Sequence, residues 1–169
     1  MSRVALQPNK EGEINMFDKV FGELTYDYYY WIGELELDWY GEVKKIELII
    51  SCEENETFDT LQYQSFQRLI DSWKEIESFL LDEILLYYIN LRDKLGFSDG
   101  SDANYPEVAS VKEIKEMIEL EAIFVPSSGI YDGRSVAMAF SCDWDDENGL
   151  GVLLVNEKIE IIGYQDIAC

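Results

Sequence analysis

From Trp31 the side chains alternate with a period of two. Leu35, Leu37 and Trp39 fall on one face and Glu34, Glu36 and Asp38 on the other, the pattern of a half-buried β-strand. Tyr40 and Gly41 supply a turn, and Ile46, Leu48 and Ile50 then repeat the alternation against Lys45 and Glu47. The two runs are predicted to pair as an antiparallel hairpin, with opposed Glu and Lys on its outer face supporting the pairing. Upstream, residues 1–15 read as a polar leader, and Phe17–Leu24 as a short strand or irregular opening segment carrying Phe17, Val20, Phe21 and Leu24.

Past an acidic break at Glu53–Glu56 the period lengthens to between three and four. Phe66, Ile70, Trp73, Ile76, Leu80, Ile84, Tyr87, Leu91 and Leu95 form one helical stripe, with Gly96 as its stop. A straight helix of that length would run about 50 Å, against about 40 Å across a compact domain of this size, so a break is predicted near Asp71 and Ser72. Asp59 with Gln62 resembles a capping box for the first helix, and Ser72 with Glu75 marks the second start. Phe79–Leu91 is apolar nearly all round, which predicts burial on more than one side.

The Ser-, Asp-, Gly- and Asn-rich stretch Ser98–Pro106 reads as a loop, and Ser110 with Glu113 caps a short helix to about Met117. Strand-like runs follow at Ile118–Val125, at Val136, Met138, Phe140 and Cys142 against Ala137, Ala139 and Ser141, at Leu150–Val155 and at Lys158–Ile162. Turns fall at Pro126–Gly129, Asn148–Gly149 and Asn156–Glu157. This order predicts an α+β fold over residues 1–169, a single domain in which antiparallel strands at the N- and C-terminal parts flank a central helical segment.

Charge changes the functional picture more than the structural one. The 169 residues hold 35 acidic and 13 basic side chains and no histidine, a net charge of −22. With 47% apolar residues the chain still has the means to fold. Such acidity disfavours nucleic acid and anionic membranes and attracts cationic proteins. Without histidine the chain lacks the side chain most used for proton transfer near neutral pH and for transition-metal binding. A binding protein is therefore expected rather than an enzyme, with no cofactor. Neither a signal-like apolar run in Met1–Glu13 nor a membrane-length apolar stretch is present, and a soluble cytoplasmic protein is expected. Cys52, Cys142 and Cys169 are too widely spaced for a disulfide framework or zinc site, and the first two read as small buried hydrophobes.

The densest candidate segment is Asp143, Trp144, Asp145, Asp146, Glu147, Asn148, Gly149. Its spacing departs from the calcium-loop pattern, as does that of Asp99, Gly100, Ser101, Asp102. A hairpin loop whose Asp and Asn side chains satisfy turn backbone, or a protein-contact loop, accounts for it better. Carboxylate pairs at glycosidase separation would arise by chance among 35 acids. No serine elbow, phosphate loop or dinucleotide fingerprint is present. The aromatic run Tyr26, Tyr28, Tyr29, Tyr30, Trp31 lacks the cationic neighbours of a base-stacking platform and reads as core and rim, or as a protein-recognition patch.

Trp144–Val152 and Ile162–Ala168, with Trp31-x-Gly33 and the Tyr87–Tyr88 pair, resemble an uncharacterised bacterial domain family with a Trp-Asp-x-Glu-x-Gly-Leu-Gly-Val hairpin and an Ile-Gly-Tyr-x-Asp ending. Domains of this type resemble the small acidic immunity proteins of polymorphic or contact-dependent toxin systems. The resemblance implies a protein that neutralises a cognate toxin by occluding its basic active surface. Candidate partner-binding residues are Asp143, Trp144, Asp145, Asp146 and Glu147, with Glu53, Glu54 and Glu56. The alternatives are an acidic binding or scaffold domain of unknown ligand and, less favoured, a metal-dependent hydrolase.

Overall fold

The computed structural model describes residues 7–8, 12–97 and 102–168. Most of the leader, the start of the Ser98–Pro106 stretch with Asp99, Gly100 and Ser101, and Cys169 lie outside the described residues. One mixed sheet contains every strand: β1 (Gln7–Pro8), β2 (Ile14–Asp18), β3 (Gly22–Asp27), β4 (Tyr30–Trp39), β5 (Glu42–Ser51), β6 (Ile118–Val125), β7 (Ser135–Cys142), β8 (Leu150–Val155) and β9 (Lys158–Gly163). Their order across the sheet is their order along the chain, and all neighbours pair antiparallel except β5 and β6, which are parallel. β1 is two residues long, so eight strands carry the sheet.

This corrects the predicted α+β arrangement of two antiparallel strand groups flanking a central helical segment. The helices lie between two runs of strands along the chain but do not part them in space, since all described strands share one sheet. They form the crossover that a parallel pair requires, since a parallel neighbour cannot be reached by a tight turn. β5 ends at Ser51 on one end of the sheet, and the chain must return through α1 (Thr60–Asp71), α2 (Trp73–Leu95) and α3 (Val111–Glu116) to begin β6 at the other. The hydrophobic pattern identified the elements, but strand direction is not encoded in alternation.

Locally the signals are obeyed. The β4–β5 hairpin pairs Glu36 with Lys45 across its outer face, and its turn residues Tyr40 and Gly41 have φ of 51° and 90°, the left-handed pair a two-residue hairpin turn needs. Asp59 and Gln62 complete a reciprocal capping box, α1 gives way to α2 at Ser72, and Ser110 caps α3 through Glu113 N–H. Ser72 itself makes no side-chain cap. Phe17–Leu24 spans the β2–β3 hairpin, and β2 starts at Ile14, inside the segment read as leader.

The helices cover one face. Trp39, Ile46, Leu48, Ile123, Met138 and Phe140 from the strands pack with Phe66, Trp73, Ile76, Leu80 and Ile84 in one core. Trp73 Nε1 donates to Asp38 O at 2.7 Å, locking α2 to β4. The α2 stripe runs on through buried Tyr88, whereas Leu86 is 53% exposed. Burial on more than one side of Phe79–Leu91 holds for most of the segment: Leu80, Leu81, Ile84 and Tyr88 are buried, Phe79, Leu85, Tyr87 and Leu91 are half-buried against the core, and α3 packs on α2 as well, while Leu86 and Ile89 are exposed. Cys52 and Cys142 are buried, and burial pushes the Cys142 thiol up to about 11. Among the described residues no helix is long and apolar enough to cross a membrane.

Candidate binding groove

Among the described residues no α-helix packs on the opposite face of the sheet, and there the register decides the shape. Following pairings from strand to strand, Glu34 lies opposite Glu47, Glu47 beside Ala122, Ala122 opposite Ala139, Ala139 opposite Gly151, and Gly151 opposite Gly163. Side-chain size thus falls from glutamate to nothing along one row, which opens a trough. The parallel row of Ile32, Ile49, Phe124, Ala137 and Leu153 is apolar throughout. The resulting groove has a volume of about 700 Å³.

Its far wall is a short 3-10 helix, Gln165–Ala168, folded back over β7 and β8. Gly151 makes that approach possible: a Cβ there would sit 2.5 Å from Ile167 Cγ1 and would also clash with Tyr164 O. Gln165 N–H donates to Asn148 O at 2.9 Å, so the Gly-Leu-Gly-Val hairpin and the Ile-Gly-Tyr-x-Asp ending meet as one structural unit. Tyr30 and Phe124 form an edge-on pair, centroids 5.7 Å apart, and Tyr164 stands beside the groove half-exposed.

Four carboxylates line this space: Glu47 on β5, Glu121 on β6, Glu147 in the β7–β8 loop and Asp166 on the 3-10 helix. Glu121 occupies a β-bulge. The register steps from Leu120–Phe140 to Ala122–Ala139, so the extra residue lets both Glu121 and Ala122 line the groove. Its Oε2 accepts from Gln165 Nε2 at 3.3 Å. Among the described residues no Lys or Arg lines the groove. On the same face Lys45 Nζ lies 3.1 Å from Glu34 and 3.8 Å from Glu36, and the hydrogen bond to Glu34 raises its pKa.

Of the candidate partner-binding residues, Glu147 lines this groove, beside Asn148 of the same segment and Tyr30 of the aromatic run. Asp143 lies beside a smaller hollow with Lys44 and Lys115. Asp145 accepts from Asn148 N and Nδ2 at 3.0 Å, the turn-satisfying role of a hairpin loop. Asp146 is exposed. Trp144 is 6% exposed, its ring centroid 4.8 Å from that of Tyr88, so it anchors the core and is not available as a partner contact. Glu53, Glu54 and Glu56 follow β5 at the end of the sheet where Cys52 N–H reaches Tyr29 O, whereas Asp143 N–H reaches Met117 O at the other end. An eight-residue strand such as β6 separates those ends by about 25 Å. The two acidic loops are not one surface.

Sequence reasoning missed Glu47, Glu121, Asp166, Tyr30, Phe124 and Tyr164 as a group. The available signal was the small face of β7, Ala137 and Ala139, together with the alternation of Glu119-Leu120-Glu121 that breaks at Ala122-Ile123. In the aromatic run, Trp31 is fully buried while Tyr28 and Tyr29 are 83% and 64% exposed at the β3–β4 turn, both with positive φ. Among the described residues no three His, Cys, Asp or Glu side chains converge as metal ligands would.

Fold and site together define a layered protein, helices on one face of a mixed sheet and an acidic groove with an apolar floor on the other. The chain belongs to the family described as a domain of unknown function (DUF6985), whose profile matches residues 20–169, from the β2–β3 turn onward. No curated protein and no solved structure matches it.

Proposed function

We propose that this protein binds a basic protein partner through the groove, and that the partner is a cognate toxin domain whose active surface it occludes. The observation that carries this reading is a groove of about 700 Å³ lined, among the described residues, by four carboxylates, three aromatic rings and no basic side chain. A cationic surface seated there would bury apolar area on Tyr30, Ile32, Ile49 and Tyr164, above the already buried Ala122, Ala139 and Phe124, while meeting complementary charge. The overall charge of −22 supports fast, salt-sensitive encounter with such a partner. The motif resemblance to immunity proteins of toxin systems supplies the biological setting, a neutralising partner kept in the cytoplasm of the producing cell.

The test is coexpression with the protein product of the adjacent gene. Protection and a co-purifying complex are expected, with the association rate falling as salt is added. Glu47→Lys with Glu121→Lys should abolish both, whereas Glu54→Lys with Glu56→Lys, at the end of the sheet beside Tyr29, should leave both intact. No complex and no protection sinks the reading. Loss confined to the second pair would move the interface to the other acidic loop.

A further inference from the structure

We infer that the side chain selected by the groove is an arginine of the basic partner, its guanidinium held between Glu47 and Glu121 above the Tyr30–Phe124 pair. This rests on the proposed binding of a basic protein. Glu47 sits on β5 beside Ala122 of β6, and Glu121 is the bulged residue immediately before Ala122. The two carboxylates therefore come from adjacent strands, whose backbones run about 4.8 Å apart.

A guanidinium is planar and carries five N–H donors, so one group serves two carboxylates at once. An ammonium is a compact, strongly hydrated point charge. The floor between the acids is alanine and aromatic, with the Tyr30 and Phe124 rings in an edge-to-face pair. Guanidinium leaves water for such a surface more readily than ammonium and is drawn to aromatic faces.

The protein already places a planar N–H donor at this position. Gln165 Nε2 reaches Glu121 Oε2 at 3.3 Å, a long contact that a charged donor would displace. Among the described residues no Lys or Arg lines the space, and Lys45, on the same face of β5, is held by Glu34 and Glu36. Glu47 meanwhile faces Glu34 directly across the β4–β5 pair, an opposition that an incoming cation relieves.

Titration of the full chain with the acetylated peptide amides Gly-Arg-Gly-Arg-Gly and Gly-Lys-Gly-Lys-Gly at low salt tests the inference by calorimetry and backbone amide shifts. The arginine peptide should bind about tenfold more tightly, its second planar hydrogen bond and ring contact making the difference. The shifts should centre on Ala122, Phe124 and Gln165. Glu47→Gln with Glu121→Gln, checked for native circular dichroism, should erase the preference, and Glu53→Gln with Glu56→Gln should keep it. Equal or unmeasurable affinity for both peptides, or a preference surviving the first pair, overturns the inference. Protection in coexpression reads the partner separately: protection with equal peptide affinities overturns arginine selection alone, and arginine selection without protection overturns the immunity reading alone.

Discussion

Gly151 separates a structural role from a sequence motif. Its missing Cβ is the space that Ile167 and the Tyr164 carbonyl occupy, so Gly151→Ala forces the C-terminal wall of the groove outward. The expected loss is about 2 kcal/mol in denaturant unfolding, the usual scale for overpacking, with partner affinity falling alongside. Glu47 should behave in the opposite sense. It lies directly across from Glu34, and removing one of two opposed like charges gains about 0.5 kcal/mol. Glu47→Gln is expected to raise the thermal midpoint at low salt while weakening partner binding, which differential scanning calorimetry and the binding titration read side by side. At Glu157 the bidentate bond from Arg134, 2.8 Å at each nitrogen, holds the carboxyl below its ordinary 4.5. A carboxylate depressed in the folded state stabilises above its unfolded value and ceases to do so as pH falls through the folded one. Unfolding free energies measured from pH 6 to pH 3 should therefore drop less steeply in Glu157→Gln than in the parent.

At the scale of elements, the β3–β4 turn stands out because Tyr28 and Tyr29 hold φ of 39° and 74°, a conformation suited to Asn-Gly. Replacing the pair by Asn-Gly should stabilise the fold by about 1–2 kcal/mol, since bulky residues with positive φ carry strain of that order each. Chemical denaturation checks this, and a neutral or negative change would mean that the rings make compensating contacts. Helix starts and hairpin phases were legible in the sequence because they depend on residues within a few positions of one another, as Asp59 with Gln62 or Tyr40 with Gly41. The groove was not. Its defining row joins residues of β4 through β9 by register, and the β6 bulge that lets Glu121 line the groove cannot be read from either strand alone. Trp144 misled for a related reason: its acidic neighbours suggested exposure, while the side chain itself packs on Tyr88 across more than fifty positions of chain.

Over the whole molecule, a net charge of −22 repels itself more in the compact state than in the unfolded chain. Raising sodium chloride from 20 to 300 mM should increase the thermal midpoint, because the Debye length shrinks from about 20 Å to about 6 Å and weakens that repulsion. A fall would show instead that exposed pairs such as Lys45 with Glu34 dominate. The same screening should slow partner association, so stability and binding are expected to respond to salt in opposite directions. The agreement of sheet order with chain order has a kinetic consequence. Every strand pairing but one is a contact between sequence neighbours, formed at small loop-closure entropy. β5 and β6 alone must find each other across the helical crossover, with four register pairs to hold them. Two meanders, Ile14–Ser51 and Ile118–Gly163, can thus assemble early as separate ladders. Closure of the seam between them is expected to set the folding rate, and the floor from Glu47 to Ala122 exists only once that seam has zipped.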